Sequence, residues 1–170
     1  MGAREDRSPI DDWAAEHRWA NTPGEVFSKW QDDRVSVLET VPLFRELNRR
    51  NLNRIARYVA EKEVKTGTVL VRQGRREPMF MLILDGTAQV ERDGHVLAHL
   101  KAGDFFGEMS LIDQLPRTAT VTAETPCVLM SIDRRSFQKL LDSVPEIQKK
   151  IMLALCIRLR EADSALAAVN

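Results

Sequence analysis

The feature that most constrains the fold is a series of six short β-type runs between Glu63 and Asp133, separated by turn residues. The runs cover residues 68–72, 80–84, 88–92, 95–100, 119–123 and 128–132. Glycine accepts the backbone angles of tight turns and marks these connections at Gly67, Gly74, Gly86, Gly94 and Gly103. Many short strands with such turns favour a small closed or jelly-roll β structure over an open sheet.

Apolar residues at helical spacing flank this β region on both sides. One pattern covers residues 25–40, with a gap around 32–34, and a second covers residues 43–60 after Pro42. Beyond the β region, Asp133 is a typical N-cap for a helix to about Leu141, and Pro145 opens a longer helix towards Asn170. The predicted order is helices, β-roll, helices, which is an α+β fold that is mainly β.

Two charged regions lie before the β-roll. Residues 1–24 are polar with two isolated tryptophans, Trp13 and Trp19, and form either a mobile arm or a short helix docked by those rings. The second helical segment carries a basic stripe, which we interpret as a solvated face rather than a docking surface: Arg45, Arg49, Arg50, Arg54 and Arg57.

Composition argues against several classes of function. Lys plus Arg number 25 and Asp plus Glu number 25, so no overall field draws the chain towards nucleic acid or an anionic membrane. The longest apolar run, residues 79–84, is far shorter than the roughly 20 residues of a membrane helix, so we expect a cytoplasmic chain without a membrane span. Cys127 and Cys156 lie in apolar stretches and are predicted to be buried free thiols without a metal or redox role.

The segment best suited to chemistry is FFGEMSLIDQLPRTATV, residues 105–121. A glycine before helix-compatible residues lets an anion approach the backbone N–H groups from Gly107 to Ser110. Arg117, directly after Pro116, offers a planar fork of donors suited to two phosphate oxygens. Glu108 would be repelled by that anion unless a sugar hydroxyl is its partner. Together these residues describe a site for a ribose phosphate held in one orientation.

The same segment resembles the phosphate-binding cassette of cyclic nucleotide-binding domains, such as those of protein kinase A regulatory subunits, catabolite activator proteins and bacterial cyclic nucleotide-gated channels. The pattern Phe-Gly-Glu, two residues, Leu, a spacer, Pro-Arg, a hydroxyl residue, Ala, one residue, Val is met without a gap. The resemblance covers about residues 41–166 and implies an eight-stranded antiparallel β-roll with N-terminal helices and two C-terminal helices. It divides the chain into an N-terminal arm and helix, 1–40, and a cyclic nucleotide-binding domain with a C-terminal lid helix, 41–170.

The resemblance also implies a role for each cassette residue. Glu108 accepts from the ribose 2′-hydroxyl, and Arg117 pairs with the cyclic phosphate. The rest of the site comprises the backbone of Gly107, Met109 and Ser110, the side chain of Thr118 beside phosphate and purine, and Arg158 or Leu159 as a lid over the base. Phe137 and Leu111 would pack together and sense the cassette.

The implied ligand is cAMP, with cGMP as the alternative. Thr118 is compatible with both nucleotides, but Ala98 stands where cGMP readers of the kinase type carry a basic residue. The chain would then be a non-catalytic regulatory domain that transmits binding through its C-terminal helices. The alternative is a related domain that has lost nucleotide binding and acts as a protein–protein scaffold.

Other functions find little support in the sequence. His95, His99 and Glu108 lack the spacing of a metal site, and no nucleophile has a histidine base at a telling distance, so we expect neither a metal nor an enzyme. We expect no DNA binding from this chain, an unidentified protein effector, and a terminal helix whose small residues Ala162 and Ala165 also suit a homodimer seam.

Overall fold

The computed structural model describes residues 33–169. The predicted N-terminal arm, with Trp13 and Trp19, and residues 25–32 of the first predicted helix lie outside the described residues. Helix α1 (Arg34–Thr40) begins after Asp33, whose side chain accepts from the backbone N–H of Ser36. A start at Arg34 agrees with the gap in the helical pattern around residues 32–34.

Helix α2 (Arg49–Tyr58) is shorter than the sequence indicated. The predicted helix is confirmed over residues 49–58, but its predicted bounds, 43–60, are wrong, because residues 42–46 form turns and Ala60 already belongs to the first strand. Asn48 caps α2 by accepting from Asn51 N–H, so the helix begins at Arg49, seven residues after Pro42. Leu43, Phe44 and Leu47 are nevertheless buried, so their helical spacing reflects packing of the turns.

The described residues contain eight strands, and all of them pair antiparallel in two four-stranded sheets, which confirms the predicted β-roll. The first sheet has the order β1-β8-β3-β6 and the second the order β2-β7-β4-β5. The strands are β1 (Ala60–Val64), β2 (Val69–Val71), β3 (Met79–Asp85), β4 (Ala88–Arg92), β5 (His95–Leu100), β6 (Phe105–Phe106), β7 (Thr120–Ala123) and β8 (Cys127–Asp133). Helix α3 (Glu108–Asp113) lies between β6 and β7.

Strands β3 and β8 form the centre of the molecule because both of their faces are covered. Phe80 and Leu82 of β3 belong to a cluster shared with the helices. Ile83 of β3 and Leu129 of β8 belong to a second cluster, which includes side chains from both sheets. A strand buried on both faces needs apolar residues at every position, which explains the unbroken apolar run over residues 79–84.

Two helices complete the described fold, as predicted: α4 (Arg134–Ser143) and α5 (Pro145–Val169). Phe137 and Leu140 of α4 and Ile147 and Ile151 of α5 are buried against the roll. Helix α5 also exposes several large apolar side chains: Met152, Leu153, Ile157, Leu159, Leu166 and Val169. No helix among the described residues is long and apolar enough to cross a membrane.

The two cysteines occupy different environments. Cys127 is buried in β8, where its thiol lies 3.3 Å from the carbonyl oxygen of Thr87 and burial raises its pKa. Cys156 is exposed on α5, so the prediction that it is buried is wrong. Of its apolar neighbours in sequence, Leu155 packs against the core, whereas Ile157 is exposed.

Candidate functional site

A cavity of about 400 Å³ opens between the second sheet, helix α3 and helix α5. Its apolar wall comes from the strands and includes Val71, Val90, Ala98, Leu100 and Val121. Its polar wall comes from the segment 104–110, from residues 117–118 and from two side chains of α5, Arg158 and Glu161. One apolar side and one charged side suit a ligand that has both a flat apolar part and an anionic part.

Gly107 shapes the polar wall. Its φ of +94° lies in the left-handed region, which side chains disfavour, and it stands at the N-cap position of α3. A Cβ at this position would collide with Nη1 of Arg117 and with the carbonyl oxygen of Met79. No side chain caps α3, so its first backbone N–H groups are left beside the cavity. Only glycine lets the chain start this helix so close to Arg117.

Arg117 is buried in the wall opposite α5, with 5% of its surface exposed. Its backbone is fixed by two hydrogen bonds of 2.8 Å, to Gly74 N–H and to the carbonyl oxygen of Arg75. Nη2 donates to the carbonyls of Glu77 and Met79, whereas Nε and Nη1 are buried without a hydrogen-bond partner. Burial lowers the pKa of Arg117, although the nearby carboxylates of Glu77 and Glu108 partly offset that effect.

Glu108 connects helix α3 to helix α5. Its carboxylate is 2% exposed, and Oε1 accepts from Nη1 of Arg158 at 2.5 Å. Arg158 also donates to the carbonyl oxygen of Phe105 and lies 4.8 Å from the centre of its ring. The second carboxylate oxygen, Oε2 of Glu108, is buried without a hydrogen-bond partner. One oxygen thus holds the terminal helix while the other is left to accept.

The structure brings most of the predicted site residues together. The cavity is lined by Gly107, Glu108, Met109, Ser110, Arg117, Thr118 and Arg158. Leu159 lies outside the lining and is 63% exposed, so its role as a lid stays a prediction. Leu111 and Phe137 share one buried cluster.

Sequence reasoning missed two acidic residues of the cavity, Asp104 and Glu161. Glu161 had a usable signal, because it follows Arg158 by three residues and therefore shares its helical face. Asp104 had no such signal, because the strand that follows it has only two residues and shows no pattern. Within residues 33–169, no three ligating side chains converge as a metal site would require.

Comparisons with known proteins agree with this geometry. Residues 61–144 match the family described as cyclic nucleotide-binding domain. The chain is similar to a cAMP-dependent protein kinase regulatory subunit of Yarrowia lipolytica, with 37% identity over 109 residues that cover 63% of this chain and 29% of that protein. It is also similar to a cyclic nucleotide-gated potassium channel of Rhizobium etli, with 38% identity over 115 residues, or 68% of this chain and 32% of the channel.

A solved structure is similar over most of the chain. The catabolite activator protein of Thermus thermophilus superposes with a TM-score of 0.69 and 28% identity, covering 75% of this chain and 62% of that one. The chain spans less than a third of the length of the two curated relatives.

Proposed function

Because the chain belongs to the cyclic nucleotide-binding domain family through residues 61–144, we propose that it binds a cyclic purine nucleotide in the cavity between the roll, α3 and α5. The phosphate lies between Arg117 and the start of α3, and the purine lies against the apolar wall. The domain acts as a non-catalytic regulator, and the bound nucleotide is its signal.

The observation that carries this proposal is the pair of unpartnered nitrogens on Arg117. A buried donor without an acceptor costs about 1–3 kcal/mol, and more when it is charged. Nε and Nη1 of Arg117 are such donors, and the free N–H groups of α3 lie close by. A cyclic phosphate carries one negative charge and several acceptor oxygens, so it satisfies both groups at once.

Glu108 supports the sugar end of the same ligand. Its Oε2 is buried and has no hydrogen-bond donor. A ribose 2′-hydroxyl can donate to this oxygen while a phosphate is bound nearby. Oε1 keeps its bond to Arg158 in this arrangement, so the nucleotide adds to the link with α5 rather than replacing it.

The apolar wall favours cAMP over cGMP. Ala98 lies in the wall and brings no basic group to the edge of the purine. Thr118, which also lines the cavity, can contact either base. The similarity to a cAMP-dependent protein kinase regulatory subunit supports the same preference.

Transmission to the rest of the molecule runs through Arg158. This side chain joins α5 to Glu108 and to Phe105, on either side of Gly107. A nucleotide that orders Glu108 therefore favours the conformation in which α5 is closed over the cavity, provided that it binds that conformation more tightly than the open one.

Isothermal titration with cAMP and cGMP tests the proposal. We expect saturable binding with a preference for cAMP, and at least a tenfold loss of affinity in Arg117→Leu, because a hydrogen bond to a charged group contributes about 1.5–3 kcal/mol. The control is Arg92→Leu, which removes an exposed arginine at the far end of β4 and should leave the affinity unchanged.

Three outcomes would contradict parts of the proposal. Equal affinity in Arg117→Leu and the parent would remove Arg117 from the site, and a clear preference for cGMP would reverse the purine assignment. No uptake of either nucleotide at millimolar concentration would leave the scaffold function as the better account.

We also propose that exposed apolar side chains of α5 pair with a second copy of the chain. Met152, Leu159 and Leu166 recur every seven residues and so lie on one stripe of the helix, as in the seam of two packed helices. Sedimentation should detect a dimer that Leu166→Glu dissociates and that Leu97→Glu, at an exposed leucine of β5, leaves intact. A monomeric parent at all concentrations would exclude it.

A further inference from the structure

Helix α2 presents a concentrated basic surface on the side of the molecule that the nucleotide site does not use. Four arginines and Asn53 line an open concavity of about 520 Å³, and the described lining contains no acidic residue. We call the four arginines, Arg49, Arg50, Arg54 and Arg57, the arginine patch. The sequence favoured a solvated face for these arginines, but the lined concavity points to a binding surface. We propose that the arginine patch binds an acidic, carboxylate-rich segment of a partner protein.

The arginine patch has no partner among residues 33–169. Within that range none of its four guanidinium groups makes a hydrogen bond or an ion pair, although other arginines such as Arg34, Arg117 and Arg158 do. Arg49, Arg50 and Arg57 are exposed, and Arg54 is half-buried. As far as residues 33–169 are concerned, their donors are therefore available to an acceptor.

Most of the arginine patch opposes the stability of its own helix, although Arg57 in the last turn suits the helix dipole. Arg50, Arg54 and Arg57 follow the spacing i, i+4, i+7, which places like charges side by side on one face. Arg49 and Arg50 also occupy the first turn, where the helix dipole favours acidic residues, and that turn contains none. An anionic partner relieves both effects, so the arrangement is better suited to binding than to folding.

The overall charge of the chain and the lack of exposed large apolar side chains on α2 argue against nucleic acid and a membrane as the partner. The chain has equal numbers of acidic and basic residues rather than the excess of basic ones typical of nucleic-acid binding. Leu52 and Ile55 of α2 are buried, and none of the exposed large apolar side chains belongs to this helix, so the patch offers nothing to insert into a membrane.

The guanidinium group of arginine can bind a carboxylate through two parallel hydrogen bonds. The four arginines of the patch are spread over about 12 Å of helix. That length fits a run of about four extended acidic residues.

Fluorescence anisotropy with a labelled octaglutamate peptide tests the inference. We expect binding at low salt that weakens steeply as salt rises, and at least a tenfold loss of affinity in Arg50→Gln/Arg54→Gln. The matched control is Arg134→Gln/Arg135→Gln, which removes two exposed arginines from the first turn of α4 and should change the affinity less than twofold. Arg57→Gln alone should give an intermediate loss and serves as a second variant.

The comparison probes are octaglutamine, a single-stranded 20-mer oligonucleotide and vesicles containing phosphatidylserine. Tighter binding to the oligonucleotide or to the vesicles than to octaglutamate would overturn the assigned partner. Equal peptide affinity in the patch variant and in the control variant, or no peptide binding by the parent, would overturn the site. The patch variant should bind cAMP like the parent, so the result is independent of the nucleotide proposal.

Discussion

At the residue scale, the backbone of Gly107 lies so close to the Arg117 guanidinium that no side chain fits between them. We expect Gly107→Ala to weaken cyclic nucleotide binding at least tenfold, because the new Cβ must displace the Arg117 guanidinium or the Met79 carbonyl. The left-handed backbone adds a cost of about 1–3 kcal/mol in unfolding free energy. Calorimetry and chemical denaturation measure the two effects.

Gly94 provides the matched control for that substitution. Its φ of +80° imposes a similar backbone cost on alanine, but a Cβ there meets nothing within 4 Å. Gly94→Ala should therefore lose stability and retain nucleotide affinity. If both variants lost affinity equally, the close approach to Arg117 would not be what shapes the site.

The thiols give a second prediction at this scale. Cys127 is fully buried and its pKa is raised by burial, so little reactive thiolate forms there, whereas Cys156 is exposed. We expect a thiol reagent at pH 8 to label one cysteine rapidly in the folded protein and the second only after unfolding. Cys156→Ser should abolish the rapid phase, and a rapid phase that survives would contradict the assigned burial.

Much of the site could be predicted from the sequence because Gly107, Glu108 and Arg117 lie within one short segment. The residues that contact Arg117 and Glu108 could not be predicted in this way. The Glu77 and Met79 carbonyls that hold Arg117 are 40 and 38 residues away from it, and Arg158 is 50 residues from Glu108. Such contacts depend on how the roll closes, which local pattern does not specify.

At the element scale, Asp133 sets the start of α4, the helix that joins the roll to α5. Its carboxylate accepts from the backbone and side chain of Ser136, and the backbone hydrogen bond is the main reason that its pKa is lowered. Asp133→Ala should cost about 1 kcal/mol of unfolding free energy, as is usual for a lost N-cap. Urea denaturation at neutral pH measures it.

The sign of the pH dependence follows from that lowered pKa. A carboxyl whose pKa falls on folding stabilises the protein above its unfolded value, about 3.9, and loses the contribution as the pH falls through the folded value. The stability difference between parent and Asp133→Ala should thus be constant from pH 5 to pH 8 and shrink below about pH 4. A difference that grew on acidification would contradict this assignment.

Six of the eight strands could be predicted from their residues, and the other two could not, for separate reasons. Strand β1 is an edge strand whose sequence AEKEV buries only Val64, so it lacks the apolar alternation that marks a strand. Strand β6 has two residues, too few for any period. Both were expected only because of the family resemblance. The helix was predicted to start too early because the turns over residues 42–46 bury apolar side chains at helical spacing.

At the scale of the whole molecule, ligand binding should raise stability and protect α5 together. At a hundred times its dissociation constant, cAMP should add about 2.7 kcal/mol to the unfolding free energy, seen as a higher melting temperature. Amide hydrogen exchange across residues 137–169 should slow in the same samples. Arg117→Leu is the control that should show smaller changes at the same nucleotide concentration, with a stability gain of at most about 1.4 kcal/mol for a tenfold weaker affinity. Exchange rates that cAMP leaves unaltered in the parent would exclude closure of α5.

Helix α5 is anchored at its base by Ile147 and Ile151 and is tied once more at Arg158, while its last turns stand clear of the roll. Its 25 residues span about 37 Å, so a tilt of about 10° at the base would carry the tip about 6 Å. We therefore predict that the helix acts as a lever, which magnifies a slight adjustment beside Glu108 into a displacement large enough for another surface to detect.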